Sequence, residues 1–283
     1  MAAQELKYKM TNDILAKMVF VKYPDLLRRL VATLLGIEHD RIGQFEVTNP
    51  EIPPGGIGEK FCRFDINMTV DNQRIVLELQ VEDEKDYPER SLYYWAREYS
   101  SALKSGMNYR DLPRAIIISI LSFSQFDCEE FHSEFRPLEA TRHTLLSDRQ
   151  ELHYFELPKV PRALRADDLL GLWLNLFGAR TEDEIKQIEG MGVPVMSEAV
   201  KAYRHVSATD EFKELERLRE RARHNEASAL RNAEERGRRQ MEEQMQSVVA
   251  EKDAEIADKD AEIAGKDAEI AELRAMLDRN NRG

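Results

Sequence analysis

Residues 61–81 read FCRFDINMTVDNQRIVLELQV, and this stretch decides the fold. Polar and apolar side chains alternate along it, and the apolar ones are Cys62, Phe64, Ile66, Met68 and Val70, then Ile75, Leu77, Leu79 and Val81. A period of two predicts strands with one buried and one open face. The pair Asp71-Asn72 separates the two runs and is typical of a two-residue hairpin loop. The stretch therefore predicts two antiparallel strands joined by a tight turn.

A two-residue loop fixes the register of the hairpin and places Asp65 directly opposite Glu78 on the polar face. Directly opposed side chains have Cβ atoms about 5 Å apart, and like charges at that distance repel. The pair is tolerated if it is protonated, bridged by a cation or relieved by solvent and a nearby base. Gln80 lies about 7 Å further along the same face. We interpret the two acids as a metal site; the alternative is a solvated hairpin face shielded by Arg63 and Arg74.

The paired carboxylates indicate phosphodiester hydrolysis. A hard cation such as Mg²⁺ takes one or two carboxylates together with waters and phosphate oxygens. The metal then polarises the phosphoryl group, supplies a hydroxide and neutralises the leaving oxygen. Gln80 can orient a water by hydrogen bonding, but it brings no positive charge and is no general base.

The remaining patterns predict an α/β fold. The expected elements are a helix capped by Thr11 or Asn12 and restarted at Pro24, a strand at 42–47, a helix at 91–105, a strand at 115–121, a hairpin at 144–155 and a helix capped by Asp167 or Asp168. The run at 115–121, AIIISIL, is apolar almost throughout, which is typical of a strand covered on both faces. This order predicts a mixed sheet flanked by helices.

Composition sets few limits on function. The net charge is -12, but residues 240–283 hold twelve acidic and six basic residues, so half of the excess lies in the tail. Net charge therefore neither supports nor excludes a DNA substrate. The two cysteines give neither a disulfide framework nor a zinc pattern. No signal segment or membrane-length apolar run is present, so we expect a cytoplasmic protein with no membrane partner.

The tail contains an exact heptad repeat, KDAEIAD, KDAEIAG and KDAEIAE, at residues 252–272. Position a is apolar, at Val249, Ile256, Ile263, Ile270 and Leu277, whereas three of the matching d positions are lysine. A strong coiled coil needs both positions apolar. Two interpretations stand, a homo-oligomer held weakly through this helix and a single solvated helix. We divide the chain into a core at 1–180, a helical extension at 181–240 and the heptad helix at 241–283.

Asp65, followed on the next strand by Glu78, Leu79 and Gln80, resembles the PD-(D/E)XK nuclease pattern in the variant that carries Gln where Lys is usual. The wider sequence is similar to the Rpn family, recombination-promoting nucleases also called PD-(D/E)XK family transposases, over about residues 8–240. The segments that carry the resemblance are TNDILAKMVF, the ELQ strand, PERSLYYWAREYSSALKSGMNYRDLPRAIIISIL and HYFELPKV.

The resemblance implies a restriction-endonuclease-like core that cleaves DNA with Mg²⁺ or Mn²⁺. It makes Asp65 and Glu78 metal ligands, with the Leu79 carbonyl as a third, and places Gln80 in the lysine position. It also matches Asp13 to an acidic residue near the start of the family's first helix, which adds Asp13 to the catalytic set.

Arg90 and Tyr94 are candidate DNA-contacting residues, since arginine and aromatic side chains bind phosphates and bases. The alternative for both is packing of their helix on the sheet. We expect a metal-dependent DNA endonuclease with a role in recombination or transposition. The main alternative is a catalytically silent DNA- or protein-binding module that oligomerises through its C-terminal helix. A toxin- or defence-type nuclease would use the same chemistry on a different target.

Overall fold

The computed structural model describes residues 4–48 and 64–280; of Asp65 it describes the backbone and not the side chain. Cys62 and Arg63, which belong to the predicted first strand of the hairpin, lie outside the described residues. The chain divides into two compact units, Met1–Glu220 and Arg221–Gly283. The domain boundaries expected from the sequence stay a prediction.

The sheet within the described ranges has six strands in the order β1-β2-β3-β4-β6-β5. The strands are β1 Phe45–Val47, β2 Phe64–Val70, β3 Gln73–Gln80, β4 Ala115–Leu121, β5 His132–Phe135 and β6 Gln150–Glu156. The β3–β4 and β4–β6 pairs are parallel and the other three pairs are antiparallel. The predicted mixed sheet is confirmed.

The helices of the described ranges are α1 Asp13–Lys22, α2 Pro24–Leu34, α3 Tyr87–Ser101, α4 Leu169–Gly178, α5 Glu182–Gly190, α6 Pro194–Ala208 and α7 Asp210–Asn280. Three boundaries follow the sequence signals. The side chain of Asn12 caps α1 by accepting from the Leu15 amide, and Pro24 begins a second helix. The side chain of Asp168 caps α4 by accepting from the Gly171 amide.

Two hydrophobic layers cover the two faces of the sheet. The larger layer packs Leu77 and Leu79 of β3 against α1, α2 and α4 to α6. The smaller layer packs Val76 of β3 against Tyr87 of α3. All seven residues of β4 are buried, as expected for a strand covered on both faces. Because side chains alternate along a strand, Glu78 and Gln80 lie on the face that α3 covers.

The predicted hairpin at 144–155 is wrong. β6 pairs with β4 on one side and with β5 on the other, whereas the residues before its turn make only the isolated bridge Leu138↔Leu145. The reason is burial, since β6 is covered along nearly its whole length while Leu146 is exposed. Strands β4 and β5 occupy both edges of β6, so the residues just before it cannot pair with it as a hairpin.

The second unit, residues 221–283, carries the remainder of α7, and its described side chains are almost all exposed. The a-position residues Val249, Ile256, Ile263 and Ile270 all face solvent. The i,i+4 pairs Glu255–Lys259 and Glu262–Lys266 are formed, with N–O distances of 2.8 and 2.5 Å. The described helices include none long and apolar enough to cross a membrane.

Candidate functional site

The β2–β3 hairpin has the predicted geometry. Asp71 and Asn72 both have positive φ, 47° and 63°, as the favoured two-residue turn requires. The Asp71 carboxylate accepts from the Gly43 and Gln44 amides at 2.9 and 2.8 Å, which attaches the turn to the start of β1. The turn is therefore held by its own backbone conformation and by hydrogen bonds to the residues that lead into β1.

This turn sets the register that brings the candidate ligands together. Asp65 lies directly opposite Glu78, and Phe64 lies opposite Leu79. The side chain of Leu79 belongs to the core, so a ligand role for this residue would fall to its backbone carbonyl, and that role stays a prediction.

The polar face of the hairpin is covered, in contrast to the open face expected from the alternation. Glu78 is 3% exposed and Gln80 is 6% exposed. A carboxylate so buried keeps its charge only beside compensating partners or a cation. Gln80 donates from Nε2 to the Glu82 carbonyl at 2.8 Å, which fixes the orientation of its amide. Burial of this kind is unusual for a solvated hairpin face and is typical of a functional carboxylate.

A buried hydroxyl pair lies beside Glu78. Ser119 of β4 is the register partner of Glu78, and the Tyr87 hydroxyl donates to Ser119 Oγ at 2.8 Å. Burial, with the charge of Glu78 adding to it, raises the pKa of Tyr87 well above its ordinary value. The Tyr87 hydroxyl therefore stays a donor at any physiological pH. Sequence reasoning missed both residues, although the one polar residue inside the AIIISIL run was a signal for Ser119.

The two candidate DNA-contacting residues lie on α3, which covers the Glu78 face. The Arg90 side chain is 9% exposed, its Cζ lies 4.9 Å from the centre of the Tyr87 ring, and its Nη1 forms an ion pair with Glu84. Tyr94 lies under the guanidinium of Arg97, with 5.5 Å from Cζ to the ring centre. Arg90 thus contacts Tyr87, whose hydroxyl is bonded to the register partner of Glu78.

Asp13 lies elsewhere. It begins α1, whose buried side chains belong to the layer on the opposite face of the sheet from Glu78. Its carboxylate is bound by Arg219 of α7, with Nη2 donating to Oδ2 at 2.8 Å and Nη1 pairing with Oδ1. A catalytic role for Asp13 stays a prediction. On the same helix Arg217 pairs with Glu214 at 2.6 Å, with both side chains about half exposed.

The donors of the site fit a hard divalent cation. Carboxylates and a backbone carbonyl are the ligands that Mg²⁺ and Mn²⁺ prefer. Asp65 and Glu78 occupy directly opposed positions, whose Cβ atoms are typically about 5 Å apart, a separation that one ion bridges. Among described residues no cluster of three or more His, Cys, Asp or Glu side chains has metal-binding geometry, and the Asp65 carboxylate lies outside that set.

Comparison with known proteins gives one match. The sequence model described as PD-(D/E)XK nuclease family transposase matches residues 11–233, well over half of the chain. Neither the curated proteins nor the solved structures gave a match. The matched range contains all the candidate site residues and ends before the heptad repeat.

Proposed function

Since the chain belongs to the PD-(D/E)XK nuclease family transposases, we propose that it is a metal-dependent DNA endonuclease acting in recombination or transposition. The observation that carries the proposal is the register of the hairpin, which sets Asp65 directly opposite a buried Glu78. Two acids in that position repel, and a cation bound between them would remove the repulsion. The family supports a nuclease or transposase role in general, and the hairpin supplies the specific residues.

In this proposal Asp65, Glu78 and the Leu79 carbonyl hold Mg²⁺ or Mn²⁺. When bound, the metal would polarise the phosphoryl group and lower the pKa of a water. Gln80 would orient that water through its Oε1 acceptor, since its Nε2 already donates to the Glu82 carbonyl. The hydrogen-bonded hydroxyls of Tyr87 and Ser119 lie beside Glu78, because Ser119 is its register partner on β4.

DNA is the proposed partner, with Arg90 and Tyr94 on its binding surface. Both residues are on α3, the helix that covers the Glu78 face. A DNA strand that is cleaved at the candidate site would therefore pass beside them. Arginine binds phosphate and tyrosine stacks on bases. The C-terminal helix is proposed to join copies of the chain through its exposed a-position residues.

A second candidate function is a catalytically silent DNA- or protein-binding module. The observation that favours it is Gln80, whose amide is already bonded to the Glu82 carbonyl and which carries no charge. Such a module keeps the fold and the C-terminal helix but does not cut DNA.

One assay separates the two functions. The purified full-length chain is incubated with plasmid DNA and Mg²⁺ or Mn²⁺, beside Asp65→Ala, Glu78→Ala and the control Glu46→Ala. Glu46 is the matched control because it is an exposed acid on β1, outside the candidate site. We expect cleavage by the wild type and the control and its loss in both site variants. Cleavage that survives both site substitutions contradicts the site, and no cleavage by the wild type favours the silent module.

A further inference from the structure

Apart from the proposed metal ion, the candidate site has no positive charge at the position where a lysine-bearing site carries one. Negative charge grows on the phosphoryl oxygens in the transition state, and preorganised cations or donors that meet it account for a large part of the rate. The residue after Glu78 and Leu79 that would carry this charge in a lysine-bearing site is Gln80, which is neutral. A side-chain cation from another element can supply the charge that Gln80 lacks.

Arg90 has the unfilled donors that such a role requires. Its side chain is 9% exposed, and its Nε and Nη2 atoms are buried without a hydrogen-bond partner. Buried unsatisfied donors are costly and rare in folded proteins, so each one calls for an explanation. Nε and Nη2 form one edge of the guanidinium, and two parallel N–H groups match two oxygens of a phosphate. The other nitrogen, Nη1, is anchored by Glu84.

The position of Arg90 also fits. Its guanidinium lies over the ring of Tyr87, whose hydroxyl donates to Ser119, the register partner of Glu78. Glu78 and Arg90 both act on the Tyr87 hydroxyl, the carboxylate raising its pKa and the guanidinium lowering it. The cation and the candidate metal ligand therefore lie on the same face of the sheet, and both are close enough to Tyr87 for their charges to act on it.

Three other largely covered cations are not candidates for this role, because each is bound elsewhere or lies on the other face of the sheet. Lys159 pairs with Glu156 at 2.9 Å and donates to the Phe126 carbonyl. Arg219 is bound through both Nη atoms by Asp13, and Lys17 is on α1, on the opposite face of the sheet from Glu78.

We infer that Arg90 supplies at the scissile phosphate the positive charge that Gln80 lacks, by binding phosphate oxygens through its Nε and Nη2 edge. The inference rests on the proposed nuclease function and assigns a further catalytic residue to the same site. The edge is covered in the DNA-free chain. The Arg90 side chain has to move for DNA to reach this edge, and the anchoring Glu84 is itself exposed in the segment between β3 and α3.

The test measures single-turnover cleavage at saturating DNA and Mn²⁺ by the full-length chain. The variants are Arg90→Gln, Arg90→Lys and Arg90→Gln combined with Gln80→Lys. Arg74→Gln is the matched control: Arg74 also ties β3 to α3, through Glu98 and Ser101, but lies about 13 Å from Glu78 along the strand. Melting temperature and Mn²⁺ affinity are measured for every variant, so that loss of fold or metal is seen separately.

We expect Arg90→Gln to slow cleavage by about 100-fold or more, the scale for removing a donor that meets transition-state charge. Mn²⁺ affinity and melting temperature stay close to wild type. Arg90→Lys keeps part of the rate, because it keeps the charge but loses the paired donors. Adding Gln80→Lys to Arg90→Gln recovers at least about tenfold, since it returns a charge to the same phosphate. Arg74→Gln cleaves like the wild type.

Each other outcome decides the matter. A wild-type chain that does not cleave overturns the proposed function, and this inference with it. A cleaving wild type with an equally fast Arg90→Gln variant overturns the inference alone. A slow Arg90→Gln variant that Gln80→Lys does not accelerate, or one that has lost its Mn²⁺ affinity, shows that Arg90 acts structurally and also overturns the inference.

Discussion

Arg219 and Asp13, 206 residues apart in the sequence, form an ion pair through both guanidinium Nη atoms. Both side chains are largely covered, at 11% and 9% exposure. The first turns of α7 are thereby attached to the start of α1. The pair belongs to the first compact unit, so these turns are part of the core that contains the candidate site.

Removing Arg219 takes away the cation that faces the buried Asp13 carboxylate. We expect Arg219→Ala to lower the free energy of unfolding by about 3–5 kcal/mol, the range for breaking a buried ion pair. Arg217→Ala is the matched control, because Arg217 pairs with Glu214 on the exposed side of the same helix and its loss costs about 0–1 kcal/mol. Urea denaturation measures both values, and equal costs for the two variants would contradict a buried, structural pair.

Tyr203 gives a prediction about alkaline pH. Burial, with the charge of Glu182 adding to it and that of Arg204 opposing it, raises the pKa of Tyr203 to about 12, and its hydroxyl donates to the Tyr8 carbonyl at 2.6 Å. The unfolded chain releases this proton near pH ~10. The folded state therefore holds a proton that the unfolded state has lost, and stability falls as pH rises from about 10 to about 12.

The measurement is the free energy of unfolding from neutral pH to pH ~12 for the wild type and Tyr203→Phe. We expect the variant to lose about 0.5–1.5 kcal/mol at neutral pH, from the missing hydrogen bond, and to show a shallower alkaline decline. Parallel curves for the two proteins would show that Tyr203 does not contribute to that decline.

The C-terminal helix is predicted to govern association rather than cleavage. Truncation after Arg239 removes the exposed a-position residues. We therefore expect light scattering to show fewer copies of the chain per particle, with metal-dependent cleavage unchanged. The paired substitution of Ile256 and Ile263 by Asn should have the same effect, because polar a positions weaken a coiled coil. Asn at Ala257 and Ala264, which follow the two a positions, is the matched control. The same number of copies per particle in the wild type, the truncated chain and both Asn variants would favour the single solvated helix.

Local signals predicted the hairpin well. The Asp71-Asn72 turn and the alternation on either side fixed the register of Asp65 and Glu78, because both depend on neighbouring residues alone. The apolar AIIISIL run likewise predicted a strand that is buried on both faces. Features that depend on distant residues were missed. The covering of Glu78 by α3, the partner strands of β6 and the Asp13–Arg219 pair all join segments whose separation a local pattern does not encode.

The most direct test of the account is Mn²⁺ binding to the full-length chain, titrated in the absence of DNA. We predict that the wild type and Glu46→Gln bind Mn²⁺ alike. Asp65→Asn and Glu78→Gln remove charge with little change of shape, and we predict that each loses Mn²⁺ binding while remaining folded. Undiminished Mn²⁺ affinity in both site variants would contradict the claim that the two opposed carboxylates form the metal site.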